Sequence, residues 1–164
     1  MNSTAIRNIQ VGGGDCLVSR NELDLFCTVL GSCIAACIYD PIAGIGGMNH
    51  YLLPYGRDDL PSARYGDEAL PLLLEQVCRA GGVRHRLEAK VYGGARTLVC
   101  DTDIGQMNIA LAHRFFEFNR IAIVDTDLGG RSARWIKFHP ASGHSIIRVA
   151  SDSLSFAGGM QRLN

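Results

Sequence analysis

The chain has 164 residues, 47% of them hydrophobic, and its sixteen Lys and Arg residues balance sixteen Asp and Glu residues. A chain of this length can close one sizeable core, so we expect a single domain over residues 1–164. The absence of a basic excess argues against binding to nucleic acid or to an anionic membrane. The first fifteen residues lack the apolar segment of a signal peptide, and no run is long enough to span a bilayer. We therefore expect a cytoplasmic protein without membrane insertion.

The chain has six cysteines, which is many for its length. They do not suggest a disulfide framework, because several lie inside apolar runs such as LFCTVL and IAACIY and the chain is large enough to fold without cross-links. Most of these cysteines are expected to be small buried hydrophobic residues. This use of cysteine is consistent with the cytoplasm.

The first half of the chain predicts a β-hairpin. Residues 23–30 (LDLFCTVL) and 33–39 (CIAACIY) are short apolar runs typical of strands. Residues 40–44 (DPIAG) have the composition of a turn, and GGMNHYLLP then predicts a returning strand. Residues 33–53 are therefore expected to form a hairpin.

The second half predicts helices mixed with short strands. A polar surface loop is expected at 54–66, a helix at 67–80 that ends at Gly81, and a helix at 104–119 capped by Asp103 and Gln106. The buried face of the first helix is expected to carry Ala69, Leu72, Leu73, Val77 and Ala80. Strands are expected at 87–92, 120–124, 134–138 and 145–150, with a loop at 125–133.

Hairpins mixed with two helices, without strict β-α-β alternation, predict an α/β fold in layers, the helices covering one face of a mixed or antiparallel sheet.

The predicted hairpin brings a thiol and an imidazole together. If its turn centres near Ile42, Cys33 lies opposite about position 51, next to His50. Side chains that neighbour each other across two strands have Cβ atoms about 4.5–5.5 Å apart, close enough for a thiol to meet an imidazole. A free thiol is mostly protonated at neutral pH and needs such a base to become a nucleophile. On spacing alone, a nucleophile pair and two packing partners of the core both remain open.

Gly31 and Ser32 precede Cys33 and add to the first interpretation. Glycine permits close approach of the backbone to a substrate, and successive N–H groups at such a turn can bind an oxyanion. A zinc site made of Cys27, Cys33, Cys37 and His50 fits less well, because structural zinc ligands usually come in closely spaced pairs at loops. We expect no metal and no cofactor.

The run TVLGSCIAACIYDPIAGIGGMNHYLLP resembles the signature of the CheD family, the chemoreceptor glutamine deamidases of bacterial chemotaxis. The resemblance continues through VYGGA, IGQMN, DLGGRSAR and the PASG turn. It implies a three-layer α/β/β sandwich, with Cys33 as nucleophile and His50 as general base and acid. The implied reaction hydrolyses receptor glutamine side chains to glutamate through a cysteine thioester and releases ammonia. The implied partners are the cytoplasmic domains of chemotaxis receptors and, in species that have it, a CheC-like phosphatase.

The sequence departs from the family pattern at Cys27. The family usually has a threonine six residues before the nucleophile, which orients the histidine, and this chain has Cys27 there and Thr28 one place later. Strand alternation puts these two residues on opposite faces, so we expect that Thr28 cannot replace the missing hydroxyl without a bulge. A thiol is a weak hydrogen-bond acceptor. An alternative is therefore a weakly catalytic or non-catalytic adaptor that binds receptors or a CheC-like phosphatase.

Overall fold

The computed structural model describes residues 4–57 and 61–151. Over these residues the chain forms nine strands and two α-helices. In chain order they are β1 (Arg7–Gln10), β2 (Cys16–Ser19), β3 (Asp24–Leu30), β4 (Ile34–Asp40), β5 (Ile45–Asn49), α1 (Gly66–Arg79), β6 (Glu88–Gly93), α2 (Ile104–Phe118), β7 (Ala122–Leu128), β8 (Arg134–Phe138) and β9 (Ser145–Val149). A single 3₁₀ turn at Arg84–Arg86 precedes β6.

The strands form two sheets that pack face to face. One sheet has the order β1-β3-β8-β9 and the other the order β2-β5-β4-β6-β7. The two helices cover the outer face of the five-stranded sheet, and the four-stranded sheet covers its inner face. The fold is thus a three-layer α/β/β sandwich with mixed sheets, which confirms the predicted fold class.

Strand β4 occupies the middle layer and is buried along its whole length. Because successive strand residues point to opposite faces, Ala36 and Ile38 contact the helical side while Ala35 and Cys37 contact the four-stranded sheet. This double burial explains the unbroken apolar run of β4 in the sequence.

The predicted hairpin is confirmed. Strands β4 and β5 pair antiparallel, with Cys37 opposite Met48. The Asp40 side chain stabilises the turn, since its Oδ1 accepts hydrogen bonds from the backbone N–H groups of Ile42 and Ala43 at 2.9 and 3.0 Å. The N-terminus of α2 is also as predicted, because the Asp103 side chain accepts from the N–H of Gln106 at 3.0 Å.

Three details of the predicted elements were wrong or incomplete. Helix α1 buries Leu70 and Leu74 where Leu72 and Ala80 were expected, because its contacts extend to both β2 and β4. Strand β7 continues to Leu128 through part of the predicted loop 125–133. As an edge strand it has alternating exposure and carries polar residues. The short strands β1 and β2 were not predicted, since each has only four residues and lies at a sheet edge.

Part of the predicted loop 54–66, residues 58–60, lies outside the described residues. Among the residues that are described, no helix is both long and apolar enough to cross a bilayer.

Candidate active site

Cys33 and His50 lie at adjacent strand ends and face the same layer. Cys33 immediately precedes β4 and packs against the cluster between the sheets, on the side of Ala35 and Cys37. His50 immediately follows β5, two residues after Met48, which belongs to the same cluster. Both side chains therefore belong to the layer between the sheets.

The pairing register explains why they share a face. Ile34 pairs with Tyr51 through two backbone hydrogen bonds of 3.1 and 3.0 Å. In this register Cys33 is diagonal to His50 on one face. The expected register, with Cys33 opposite position 51, was one residue off and would have put the two side chains on opposite faces.

His50 is held from the other sheet by Thr28. The Thr28 Oγ1 lies 3.0 Å from the His50 Nδ1 and 2.7 Å from the carbonyl oxygen of Val11. The His50 Nδ1 is also 3.2 Å from that carbonyl. A carbonyl oxygen only accepts, so the Thr28 hydroxyl donates to Val11 and Nδ1 carries a proton that it donates to Thr28 and Val11. This assignment leaves Nε2 of the neutral ring unprotonated.

The expectation for Cys27 and Thr28 is therefore corrected. Thr28 is buried on the inner face of β3 and contacts His50 without a bulge. Cys27 lies on the outer face of that strand, where its Sγ is 3.5 Å from the Asn8 side-chain oxygen. The alternation of β3 was predicted correctly, but which of its faces meets the histidine depends on the packing of the two sheets.

The second ring nitrogen of His50 has no partner. Its Nε2 is buried and makes no hydrogen bond within the described part of the chain. Burial lowers the pKa of His50 below its ordinary 6.5, although the Val11 carbonyl and Asp15 act in the opposite direction. The imidazole is thus neutral at pH 7, with a free lone pair on Nε2, which is the state of a general base.

The Cys33 thiol is half-buried. Burial raises its pKa above the ordinary value, and its own backbone N–H partly offsets that rise. Both members of the pair are therefore neutral at rest. A thiolate at this site requires proton transfer to a base, and His50, whose Nε2 is unprotonated, lies on the same face.

The 31–33 loop is fixed through its three carbonyl groups. The carbonyl oxygens of Gly31 and Cys33 accept from the N–H groups of Ala95 and Gly94, both at 2.9 Å. The Ser32 carbonyl accepts from the Asn108 side chain at 3.0 Å. The N–H of Ser32 makes no hydrogen bond within residues 4–57 and 61–151, and the N–H of Cys33 makes none to another residue there. Because the Cys33 N–H acts on its own thiol, the Ser32 N–H is the donor of this loop that remains free for a ligand oxygen.

Asn108 connects the two halves of the site. Its side-chain amide donates to the carbonyl of Ser32 and to that of Leu52, each at 3.0 Å. The side chain is fully buried on α2, and its backbone carbonyl accepts from the Tyr51 hydroxyl at 2.7 Å. One residue thus sets the spacing between the loop before Cys33 and the segment after His50.

Gly93 lets a neighbouring strand approach this loop closely. Its φ of +112° is a conformation that other residues rarely adopt, and a Cβ there would overlap the carbonyl oxygen of Cys33. The buried Arg134 supports the same region, since it donates to the Gly93 and Gly129 carbonyls at 3.2 and 2.6 Å and pairs with Asp127 at 2.9 Å.

The sequence predicted that Cys33 and His50 lie near each other, and the structure places them on one face; their catalytic roles and that of Gly31 and Ser32 stay predictions. The contacts of Asn108 were not predicted, and those of Thr28 were predicted wrongly. Asn108 lies in the IGQMN motif, which indicated its region but not its contacts. Among the described residues, no group of three or more His, Cys, Asp or Glu side chains is arranged to hold a metal ion.

An α/β/β sandwich in which a cysteine and an oriented histidine share the layer between the sheets defines a class of candidate thiol-dependent hydrolases. The chain belongs to the CheD family. The family profile described as "CheD chemotactic sensory transduction" matches residues 52–149.

Two relatives show the extent of the similarity. Both are named "Probable chemoreceptor glutamine deamidase CheD". The Caulobacter vibrioides protein is 46% identical over 146 residues, which cover 87% of this chain and 78% of the relative. The Zymomonas mobilis protein is 44% identical over 152 residues, covering 90% of this chain and 83% of the relative. Among solved structures, a hypothetical protein YfiH from Bacillus licheniformis matches with a TM-score of 0.41 at 11% identity, over 76% of this chain and 60% of that one.

Proposed function

We propose that this protein hydrolyses side-chain amides of glutamine residues in chemoreceptors, giving glutamate and ammonia through a thioester on Cys33. The observation that carries the proposal is the state of His50. Thr28 and Val11 hold its Nδ1 and leave Nε2 unprotonated, on the same face as Cys33. The names of the CheD relatives supply the substrate class.

In the first step, His50 Nε2 accepts the Cys33 proton and Sγ attacks the amide carbon of the glutamine. A C–S bond forms, and the carbonyl π electrons move to the oxygen. Two features support oxyanion binding by the N–H group of Ser32. The anchored carbonyls orient the 31–33 loop, and a Cβ at Gly31 would lie 3.3 Å from the Thr97 side chain.

In the second step, the protonated His50 donates its Nε2 proton to the amide nitrogen, and the C–N bond breaks to release ammonia. A water then gives a proton to Nε2 and attacks the thioester carbon. The C–S bond breaks, the Nε2 proton returns to Cys33, and the glutamic acid product loses its own proton to solvent as it leaves as the carboxylate. The ring passes between its neutral and cationic forms, and Thr28 and Val11 accept from Nδ1 in both forms.

The proposal includes the partners and compartment that the reaction requires. The substrate is the cytoplasmic part of a chemotaxis receptor, so the enzyme acts in the cytoplasm. A CheC-like phosphatase is a further proposed partner. The adaptor alternative depended on the lack of a hydroxyl beside His50, and Thr28 removes that argument.

The test is co-expression with a receptor cytoplasmic domain, with ammonia release and conversion of glutamine to glutamate measured by mass spectrometry. Wild type is expected to give product, and Cys33→Ala and His50→Ala none. Cys78→Ala is the matched control, because that half-buried thiol lies on α1 and packs on the helical side of the sandwich. Undiminished product from Cys33→Ala, or none from wild type, would overturn the proposal.

A further inference from the structure

Within the described residues, the strand positions on the outer face of the four-stranded sheet carry no acidic side chain. The helices lie on the other side of the sandwich, so no described helix packs on this face. Strand alternation assigns to it nine positions: Asn8, Gln10, Leu25, Cys27, Val29, Trp135, Lys137, Ile146 and Arg148. The chain as a whole is neutral, so the lack of acidic side chains at these positions belongs to this face and not to the composition of the whole chain.

Three exposed apolar side chains lie on neighbouring strands of this face. Val29, Trp135 and Ile146 are 40%, 42% and 50% exposed. Val29 pairs with Trp135 on β8, and Ile146 lies one strand further, opposite Lys137. Trp135 is the only tryptophan of the chain, and an exposed tryptophan beside aliphatic residues is the composition of interface hot spots.

Two cations border the patch. Arg148 pairs in register with Trp135, and Lys137 lies between Cys27 and Ile146. Both are exposed, and neither forms an ion pair with any described residue. We call Val29, Trp135, Lys137, Ile146 and Arg148 the outer patch.

The outer patch ends beside the candidate active site. Val29 precedes Gly31 by two residues, about 7 Å along a strand. Its neighbour Thr28 points the other way, to His50. A partner on the outer patch therefore lies next to the loop that carries Cys33.

We propose that one amphipathic helix of the receptor docks on the outer patch. The apolar side chains of that helix contact the apolar side chains of the patch, and carboxylates of the helix next to the target glutamine pair with Lys137 and Arg148. This inference rests on the proposed function for the identity of the partner. Four strands span about 14 Å, close to the 10–12 Å diameter of one helix. A second copy of this chain fits less well, because a two-fold contact would place cations against cations with no carboxylate to pair them.

The single tryptophan makes the docking directly measurable. The full chain is used as the Cys33→Ala variant, which prevents turnover. It is titrated with a tryptophan-free receptor cytoplasmic fragment, and the fluorescence emission of Trp135 is followed. A saturable change in emission is expected. Adding Lys137→Glu and Arg148→Glu is expected to weaken binding roughly 10- to 30-fold, as loss of interface hot spots does. Phe118→Ala is the matched control, an exposed aromatic residue (87%) on α2 at the opposite side of the sandwich, and it is expected to leave the affinity unchanged.

The outcomes separate this proposal from the proposed function. Unchanged affinity of the double variant, or binding seen by calorimetry without any change in Trp135 emission, overturns docking on the outer patch. Saturation by a CheC-like phosphatase but not by the receptor fragment overturns the receptor as occupant. Saturable binding of the receptor fragment that the double variant weakens supports docking, whether or not the wild type releases ammonia. Absence of ammonia release from the wild type overturns only the proposed reaction. The KM of ammonia release is also compared between wild type and the Lys137→Glu, Arg148→Glu variant that keeps Cys33. Ammonia release with an equal KM in both supports the reaction and overturns the docking.

Discussion

The side chains of Thr28 and His50 meet across the two sheets, with Thr28 Oγ1 and His50 Nδ1 3.0 Å apart. Thr28 belongs to the four-stranded sheet and His50 follows β5 of the five-stranded sheet. The orientation of the imidazole therefore depends on how the two sheets pack, and Nε2 is left free as a consequence of that packing.

Replacing Thr28 with valine is expected to lower kcat of ammonia release by about 2- to 13-fold. Valine keeps the shape of the side chain but removes one of the two oxygens that accept from Nδ1, while the Val11 carbonyl remains at 3.2 Å, so the loss is that of one net hydrogen bond, about 0.5–1.5 kcal/mol. Thr28→Ser keeps the oxygen and is expected to retain most of the activity. The measurement is steady-state ammonia release from a receptor fragment.

The same assay decides between Thr28 and its neighbour. Because Cys27 lies on the outer face of β3, adding Cys27→Thr to Thr28→Val is expected to restore nothing. Recovery of activity in the double variant would show that position 27 can orient His50, contrary to the structure.

Asn108→Asp tests whether Asn108 is a positioning residue. The change keeps the shape of the side chain but turns carboxylate oxygens toward the carbonyls of Ser32 and Leu52, so both hydrogen bonds are lost. A displacement of about 1 Å at a reacting group can cost about 10²-fold in rate, so kcat is expected to fall by at least about tenfold. The alkylation rate of Cys33 at fixed pH is expected to change as well.

A purely structural role for Asn108 would lower stability without these effects. The control is Val77→Ala, which leaves a cavity under α1 and destabilises the protein without touching a polar contact of the site. If Asn108→Asp and Val77→Ala are equally active per folded molecule, Asn108 does not position the site.

Alanine at Gly93 is expected to damage the site more than alanine at Gly130. Both glycines have positive φ, so each substitution carries about 1–2 kcal/mol of backbone strain. At Gly130 the new Cβ meets no atom within 4 Å, whereas at Gly93 it overlaps the Cys33 carbonyl oxygen. Urea unfolding and ammonia release of the two variants measure the difference, and equal losses would contradict this account of the close approach at Gly93.

The pH profile of the reaction is expected to follow a neutral thiol–imidazole pair. His50 has a lowered pKa, so it is neutral at pH 7 and loses its function as a base only as pH falls below 6.5. The acid limb of kcat/KM is thus expected to have its midpoint below 6.5. Burial raises the pKa of Cys33, so the midpoint of the alkylation rate of the free enzyme against pH is expected on the alkaline side of the ordinary thiol value of 9.0. An acid limb at or above 6.5 would contradict the burial of His50 seen in the structure.

Local pattern was sufficient for most of the secondary structure and for placing Cys33 and His50 near each other, while their catalytic roles stay predictions. The hairpin of β4 and β5 is short in sequence, and its turn residues and apolar arms specify it without any distant contact. Its exact register was not specified. A shift of one residue changes which side chains share a face, and that choice depends on what each face packs against.

The sequence by itself determined the hairpin, the helices and the Gly31-Ser32 turn before Cys33, because each depends on neighbouring residues and their conformational preferences. Only the tertiary structure decided that Thr28, and not Cys27, orients His50, and that Asn108 ties the two strand ends together. The physical reason is that these contacts join residues far apart in sequence, 22 positions for Thr28 and His50 and 76 for Asn108 and Ser32. Such contacts form only when the sheets and helices pack around one core, and no local pattern encodes which faces meet.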